Sequence, residues 1–142
     1  MKLPFKRLRA VHLRLGRRGE SLACRLLRQK RYDLLCRNYR HKSGEIDIVA
    51  RDGATLVFIE VKTRYFTTAA RPAEGLNPRQ QLRIVNAGKR YLHQIGNPRT
   101  PYRFDLVEVR FGPFDPVEVR HWQNHFSESS LRYYRQSLRQ GL

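Results

Sequence analysis

A chain of 142 residues is the size of one domain, and at 40% hydrophobic it can bury one sizeable core, which excludes wholesale disorder. Its 29 Lys and Arg against 12 Asp and Glu give a net charge of +17. Self-repulsion of that size disfavours a compact monomer, so a polyanionic partner is the economical explanation. Arg predominates over Lys, and a guanidinium gives phosphate a forked pair of donors where Lys gives a point charge. Nucleic acid is therefore the expected partner, ahead of an anionic membrane surface or a ribosomal or structural role. No run approaches the roughly 18 apolar residues of a membrane span. The basic stretch 1–18 lacks the apolar core of a signal peptide, so the expectation is a cytoplasmic protein. Cys24 and Cys36 read as reduced structural thiols, since a zinc site would need both plus His41 and a further ligand at irregular spacing.

In chain order, residues 1–14 are expected as a loose basic arm, 15–126 as the folded domain and 127–142 as a helical tail. The spacing of Leu15, Leu22, Ala23, Leu26 and Leu27 predicts a helix from about Leu15 to Arg31, with Arg17, Arg18, Arg25, Arg28 and Lys30 mostly away from the apolar stripe. Strands follow at about Glu45–Ala50 and Leu56–Arg64, joined by Arg51-Asp52-Gly53-Ala54 with hairpin-turn chemistry. Phe66 to Asn77 reads as a loop. Asn77 caps a second helix with Pro78 at its first position, which runs to about Ile95 and buries Ile84, Val85, Gly88, Tyr91, Leu92 and Ile95. Asn97-Pro98 ends it. Strands are expected at Tyr102–Val109 and Val117–Trp122, and then a short helix capped by Ser127 with Leu131, Tyr134 and Leu138 on one side. This order suggests a mixed sheet flanked by helices.

The hairpin is where chemistry gathers. Strand alternation sets Ile46, Ile48 and Ala50 on one face and Glu45, Asp47 and Val49 on the other, with Val57, Ile59 and Val61 opposite in facing to Phe58, Glu60 and Lys62. With Gly53-Ala54 as a two-residue loop, Asp47 and Glu60 sit directly opposite each other. Opposed like charges destabilise a strand pair, and two close carboxylates push one pKa upward. A divalent cation between them reverses the sign, and Mg²⁺ takes one or two carboxylates plus phosphate and water. Lys62, on the same face as Glu60, can stabilise charge on a phosphate or orient a water. The bland alternative is a solvated hairpin face with ion pairs from Glu45 or Asp47 to Lys62, worth about 0–1 kcal/mol. Glu20, at the flank of the first helix's stripe, is aimed along the sheet edge as a third acidic group or as an ordinary surface Glu.

These residues together resemble the PD-(D/E)xK nuclease superfamily, which includes restriction enzymes and archaeal Holliday junction resolvases. More closely, the chain resembles the bacterial uncharacterised protein family 0102, the YraN-like proteins. The resemblance rests on Gly19-Glu20-x-x-Ala23, Arg37-Asn38-Tyr39-Arg40, Gly44 to Ala50, Val57 to Arg64 and Arg103 to Val107. It implies a restriction-endonuclease-like α/β fold, a mixed β-sheet flanked by α-helices. It also implies an Mg²⁺ (or Mn²⁺) site at Asp47, Glu60 and Glu20, with Lys62 completing the catalytic set. Ile46 stands where the superfamily has Pro, which is no ligand. Gln80 stands where relatives often have Lys, so a positive charge is missing there. Arg64, Arg79, Gln80 and Arg83 are the expected nucleic-acid contacts. Arg103 with Asp105 reads as a structural salt bridge. His93, His121 and His125 show no clear partner, and Tyr39, Tyr65 and Phe66 could stack on bases or simply pack.

The expected function is metal-dependent hydrolysis of DNA, with branched DNA included among its substrates. The alternatives are a non-catalytic module that binds DNA or RNA on the same fold, and an accessory protein binding structured RNA through charge alone. Cutting both strands of a symmetric junction would need two sites, hence a homodimer.

Overall fold

Alternation along the central strands sends apolar side chains to both faces of a sheet, so each face must be covered. The computed structural model describes residues 5–65, 76–112 and 118–141. In order these form α1 (Phe5–Gln29), β1 (Asp33–His41), β2 (Gly44–Asp52), β3 (Thr55–Tyr65), α2 (Pro78–Gln94), β4 (Tyr102–Phe111), β5 (Glu118–Phe126), a 3-10 turn at Ser129–Leu131 and α3 (Arg132–Arg139). The strands make one sheet in the order β1-β2-β3-β4-β5. Only β3 and β4 are parallel, joined through α2. This is the expected mixed sheet flanked by helices.

One face carries Ile48, Ala50, Val57, Ile59, Val107, Val109 and Phe111 against Ala23, Cys24 and Leu27 of α1. The other carries Ile46, Val49, Phe58, Phe104 and Leu106 against Ile84, Val85 and Leu92 of α2 and Leu131 of the 3-10 turn. Ile46 therefore departs from the expected row of Ile48 and Ala50. At the same level of the neighbouring strand, Asn38 has φ 53° and falls opposite Asp47 between the pairs Arg37–Ile48 and Tyr39–Ile46. A left-handed residue rotates the strand by more than a pleat, so Cys36 and Tyr39 both face α2 although three residues apart.

Other expectations shift. The helix begins at Phe5, not at Leu15. Lys, Arg, Leu and Ala are strong helix formers, and positive charge alone does not stop them. β1 is an element that apolar periodicity does not signal: it is an edge strand, half exposed, with a bulge between Leu34 and Cys36. The Asn77 cap and Pro78 start of α2 hold. Ile95 is 47% exposed, because it lies past the end of the helix, and Ala87 is buried in its place. Ser127 does not cap α3; it bonds instead within a Ser127-Ser129-Ser130 turn, and Leu138 is exposed. Residues 66–75 of the expected loop, with Phe66, and the expected strand start at Val117 lie outside the described residues, as do the side chains of Leu15 and Tyr65.

At the end of the sheet where Asp52 turns, a buried polar network ties β2, β4 and β5 to the end of α1. Asp105 is fully buried and accepts from His121 Nε2 at 2.8 Å, Arg103 Nε at 3.0 Å and the Asn124 backbone N–H at 2.8 Å. Arg103 also reaches Asp52 at 3.1 Å and the Tyr32 hydroxyl at 2.8 Å. Lys30 Nζ meets His121 Nδ1 at 2.9 Å. Burial opposes the Asp105 charge, but bonds from His121, Arg103 and Asn124 outweigh it and hold the carboxyl below its usual range. The Arg103–Asp105 bridge is thus present as expected, while His121, expected to have no clear partner, is one of its members.

Both main helices end in the same way. At α2 the Asn97 N–H reaches Leu92 O and the Gly96 N–H reaches His93 O, with Gly96 at φ 88°. At α1 the Tyr32 N–H reaches Leu27 O and the Arg31 N–H reaches Arg28 O, with Arg31 at φ 65° where Gly is the usual occupant. A non-Gly residue held there is strained by about 1 kcal/mol. Arg31→Gly should raise the urea midpoint with unchanged slope, a gain of up to about 1 kcal/mol. A lowered midpoint would mean that the Arg31 side chain, and not its backbone, matters at this turn.

Candidate functional site

The two-residue loop Gly53-Ala54 pairs Asp52 with Thr55 and keeps β2 and β3 in register as far as Ile48 opposite Ile59. The next position along each strand is Asp47 and Glu60. Here β2 leaves β3 and pairs only with β1. The Val61 N–H, which would otherwise bond across the ladder, donates to Asp47 Oδ2 at 2.8 Å. Glu60 and Lys62 continue the row of Phe58 on the α2 face. Lys62 Nζ lies 4.0 Å from Glu60 Oε1, with the two side chains 30% and 18% exposed.

The two carboxyls are hydrogen-bonded to each other, with Glu60 the donor and Asp47 the acceptor. Burial, then the Asp47 charge, then that hydrogen bond push the Glu60 carboxyl up to about 8, and Lys62 only partly offsets them. Burial also raises Asp47, opposed by the bonds from Val61 and Glu60. Two acids therefore share one proton at neutral pH, which is a configuration a divalent cation would replace.

Glu20 approaches from α1. Its carboxyl lies 3.9 Å from an Arg37 guanidinium nitrogen. Burial and the Asp47 charge raise its pKa, while Arg37 lowers it. α1 comes this close because residue 19 is Gly: a Cβ there would strike the Thr63 side chain, with Thr63 Cβ only 3.2 Å away. Among the described residues no three His, Cys, Asp or Glu side chains gather closely enough to hold an ion. The expected three-carboxylate set is thus a contacting pair with Glu20 apart from it. Cys24 is buried, Cys36 is partly buried, and the two form no disulfide.

The remaining expected contacts divide. Arg79 and Arg83 are exposed on the first turns of α2, and Gly44 at the start of β2 packs directly against the Arg83 carbonyl. Gln80 is occupied as a cap. Its Oε1 accepts from the Asn77 N–H at 3.1 Å while its own N–H donates to Asn77 Oδ1 at 2.9 Å, a capping box written in the Asn-x-x-Gln spacing. Arg64 Nε lies 4.0 Å from Glu108. Glu108, fully buried, is a neighbour of the site that the sequence does not single out: it pairs in register with Lys62 and lies 3.3 Å from Arg110 Nε. Its signal is the polar interruption in an apolar strand, but its neighbour across a parallel pair cannot be read from spacing. Tyr39 is a packing residue, edge-on to Tyr91 and bonded to Gln94.

A family model described as Uncharacterised protein family UPF0102 matches residues 19–109. A UPF0102 protein of Chlorobium limicola is 40% identical over 116 residues, 81% of this chain and 90% of that protein. One from Symbiobacterium thermophilum is 41% identical over 113 residues, 80% of this chain and 96% of the relative. One from Geobacter sulfurreducens is 40% identical over 112 residues, 79% and 88% of the two chains. The matched span takes in Glu20, Asp47, Glu60 and Lys62.

In cation-free buffer the folded protein holds the Glu60 proton up to about pH 8, whereas the unfolded chain releases it near 4.5. The contribution of Glu60 to stability is therefore full below about pH 4.5 and lost as pH rises through about 8. Glu60→Gln removes this loss. The melting temperature of Glu60→Gln relative to wild type should climb across that pH window, and a difference that stays constant would mean that Glu60 titrates as an ordinary surface acid.

Proposed function

The chain belongs to uncharacterised protein family UPF0102, and we propose that it is an endonuclease-like phosphodiesterase that binds DNA and hydrolyses it with Mg²⁺ or Mn²⁺. The observation that carries this reading is the Asp47–Glu60 pair, two partly buried acids in contact beside Lys62. Such a pair destabilises a hairpin unless something else needs it. Its donors are hard oxygens, and two carboxylates leave room for the water and phosphate with which Mg²⁺ completes its octahedron. An ion held by Asp47 and Glu60 would supply Lewis acidity at a phosphoryl oxygen and a more acidic water.

The chain's own groups supply the rest. Lys62 presents its ammonium beside Glu60, where negative charge grows as a water oxygen adds to phosphorus and the ester oxygen leaves. Glu20, its pKa raised by burial and by Asp47, is placed to hold a water at the edge of the site. Arg79 and Arg83 offer guanidinium pairs to flanking phosphates. The resemblance to PD-(D/E)xK nucleases supports the same assignment. A second reading, a non-catalytic nucleic-acid-binding module, draws on the separation of Glu20 from the pair and on the +17 charge.

The deciding comparison is Lys62→Ala against wild type on branched, single-stranded and duplex DNA with Mg²⁺ or Mn²⁺. A group that acts mainly in the transition state leaves binding nearly intact when removed. Lys62→Ala should bind within a few-fold of wild type and cut at least about a hundredfold more slowly, a loss near 3 kcal/mol. Asp47→Asn should lose the cation binding that calorimetry detects in wild type. If Lys62→Ala, free of contaminating nuclease, cuts as fast as wild type, the binding-module reading replaces the catalytic one.

A further inference from the structure

The arginines of this protein fall into two populations. Those on the sheet are matched to carboxylates: Arg37 to Glu20, Arg40 to Glu45, Arg51 to Asp33, Arg103 to Asp52 and Asp105, Arg120 to Glu118. Four on the outer face of α1 are not. Arg14, Arg17, Arg25 and Arg28 are exposed and have no carboxylate partner among the described residues. Glu20 is the one acidic residue in the 25-residue helix, and it lies on the inner side with Arg37.

These arginines are also aligned. At about 100° per residue, Arg14, Arg17, Arg25 and Arg28 all fall within about 40° of one line, with Arg18, whose guanidinium lies over the Phe111 ring, just to one side of it. The line runs opposite the buried Ala23 and Leu27. At about 1.5 Å per residue the ridge from Arg14 to Arg28 is about 21 Å long. A groove of about 650 Å³ lies along it, lined among the described residues by Arg18, Ser21, Leu22, Arg25, Arg28 and Gln29.

We infer that the outer face of α1 is a second docking surface, which holds the sugar-phosphate backbone of duplex DNA away from the Asp47–Glu60 site. The inference rests on the nucleic-acid reading above and adds where an arm of the substrate lies. A rigid row of fixed cations suits a stiff, regularly charged polyanion: about 21 Å spans about six base-pair steps along the duplex axis, so the row meets phosphates on the side of the duplex that faces it. Guanidinium forks suit phosphate oxygens, and the stems of Arg18, Arg25 and Arg28 beside Leu22 give the groove a floor for deoxyribose. A membrane surface fits less well. A helix that lies on lipid offers its apolar face to it, and here that face is already buried against the sheet. Glu20 and Arg17 are one turn apart on α1, so the ridge runs past Glu20.

The test compares two triple variants of equal charge in the full chain, with chelator present so that no cutting intervenes. One is Arg14→Gln, Arg25→Gln, Arg28→Gln. The control removes three exposed arginines elsewhere, Arg99→Gln, Arg132→Gln, Arg139→Gln. Circular dichroism checks that both are folded. Fluorescence anisotropy with a labelled duplex, titrated over a range of salt, should show the α1 triple binding at least about tenfold more weakly. Its slope of log K against log salt should be shallower by up to about 2.7, at about 0.9 for each phosphate that is no longer neutralised. The control triple should shift affinity less than about threefold. Equal weakening by both triples would reduce the ridge to bulk charge and overturn the inference. So would an α1 triple that keeps duplex binding but loses co-sedimentation with phosphatidylserine vesicles. A wild type that binds duplex through α1 yet cuts nothing would sink the catalytic reading and leave this surface standing.

Discussion

Asp47 stands in for a backbone carbonyl. Where β2 turns away from β3, the Val61 N–H loses its strand partner, and Asp47 Oδ2 takes it at 2.8 Å. An unpaired, partly buried N–H would cost on the order of 1–3 kcal/mol, so the splay of the two strands is tolerated only with an acceptor at this position. The splay in turn opens the space in which Glu60 and Lys62 project without being sealed under α2. One hydrogen bond therefore links the local geometry of the hairpin to the accessibility of its charged groups.

The two ends of the sheet show opposite treatments of a buried acid. Asp105 is surrounded by three donors and stays ionised, fixing β4, β5 and the end of α1 as one rigid block. At the other end Glu60 is left with another acid as its neighbour and stays protonated to about pH 8. The first arrangement is complete in itself. The second is only partly compensated, since Lys62 lies 4.0 Å from Glu60 and Arg37 lies beside Glu20. The rigid block at one end lets the scaffold, and not the acids themselves, hold the two carboxyls in contact at the other.

The hairpin is the most legible part of the chain. A two-residue loop at Gly53-Ala54 fixes parity, and parity places Asp47 across from Glu60 without any tertiary information. The start of α2 is equally plain from Asn77 and Pro78. What stays hidden has a common cause, dependence on neighbours distant in sequence. β1 takes its strand conformation from pairing with β2, not from its own half-exposed, Arg-rich pattern. The facing of Ile46 departs from strict alternation where β2 leaves β3, opposite the left-handed Asn38 region of β1. Glu108 lies beside Lys62 only because β3 and β4 run parallel across the α2 crossover. The start of α1 is obscured for a different reason: a dense run of arginine suggests a loose arm, although arginine itself favours a helix.

The bends at Asn38 and Asn124 bear on how copies of this chain meet one another. Among the described residues β1 and β5 are the edge strands of the sheet, and an open edge invites a strand from a neighbouring molecule to add to it. Each edge is interrupted. β1 has a bulge after Leu34, the turn of backbone at Asn38 (φ 53°) and the exposed Arg37 and Arg40. β5 has an irregularity opposite Phe104 and Leu106 and a left-handed Asn124 (φ 50°). Among the described residues neither edge offers the long, flat ladder that edge-to-edge polymerisation needs, so these interruptions act as a guard against strand addition.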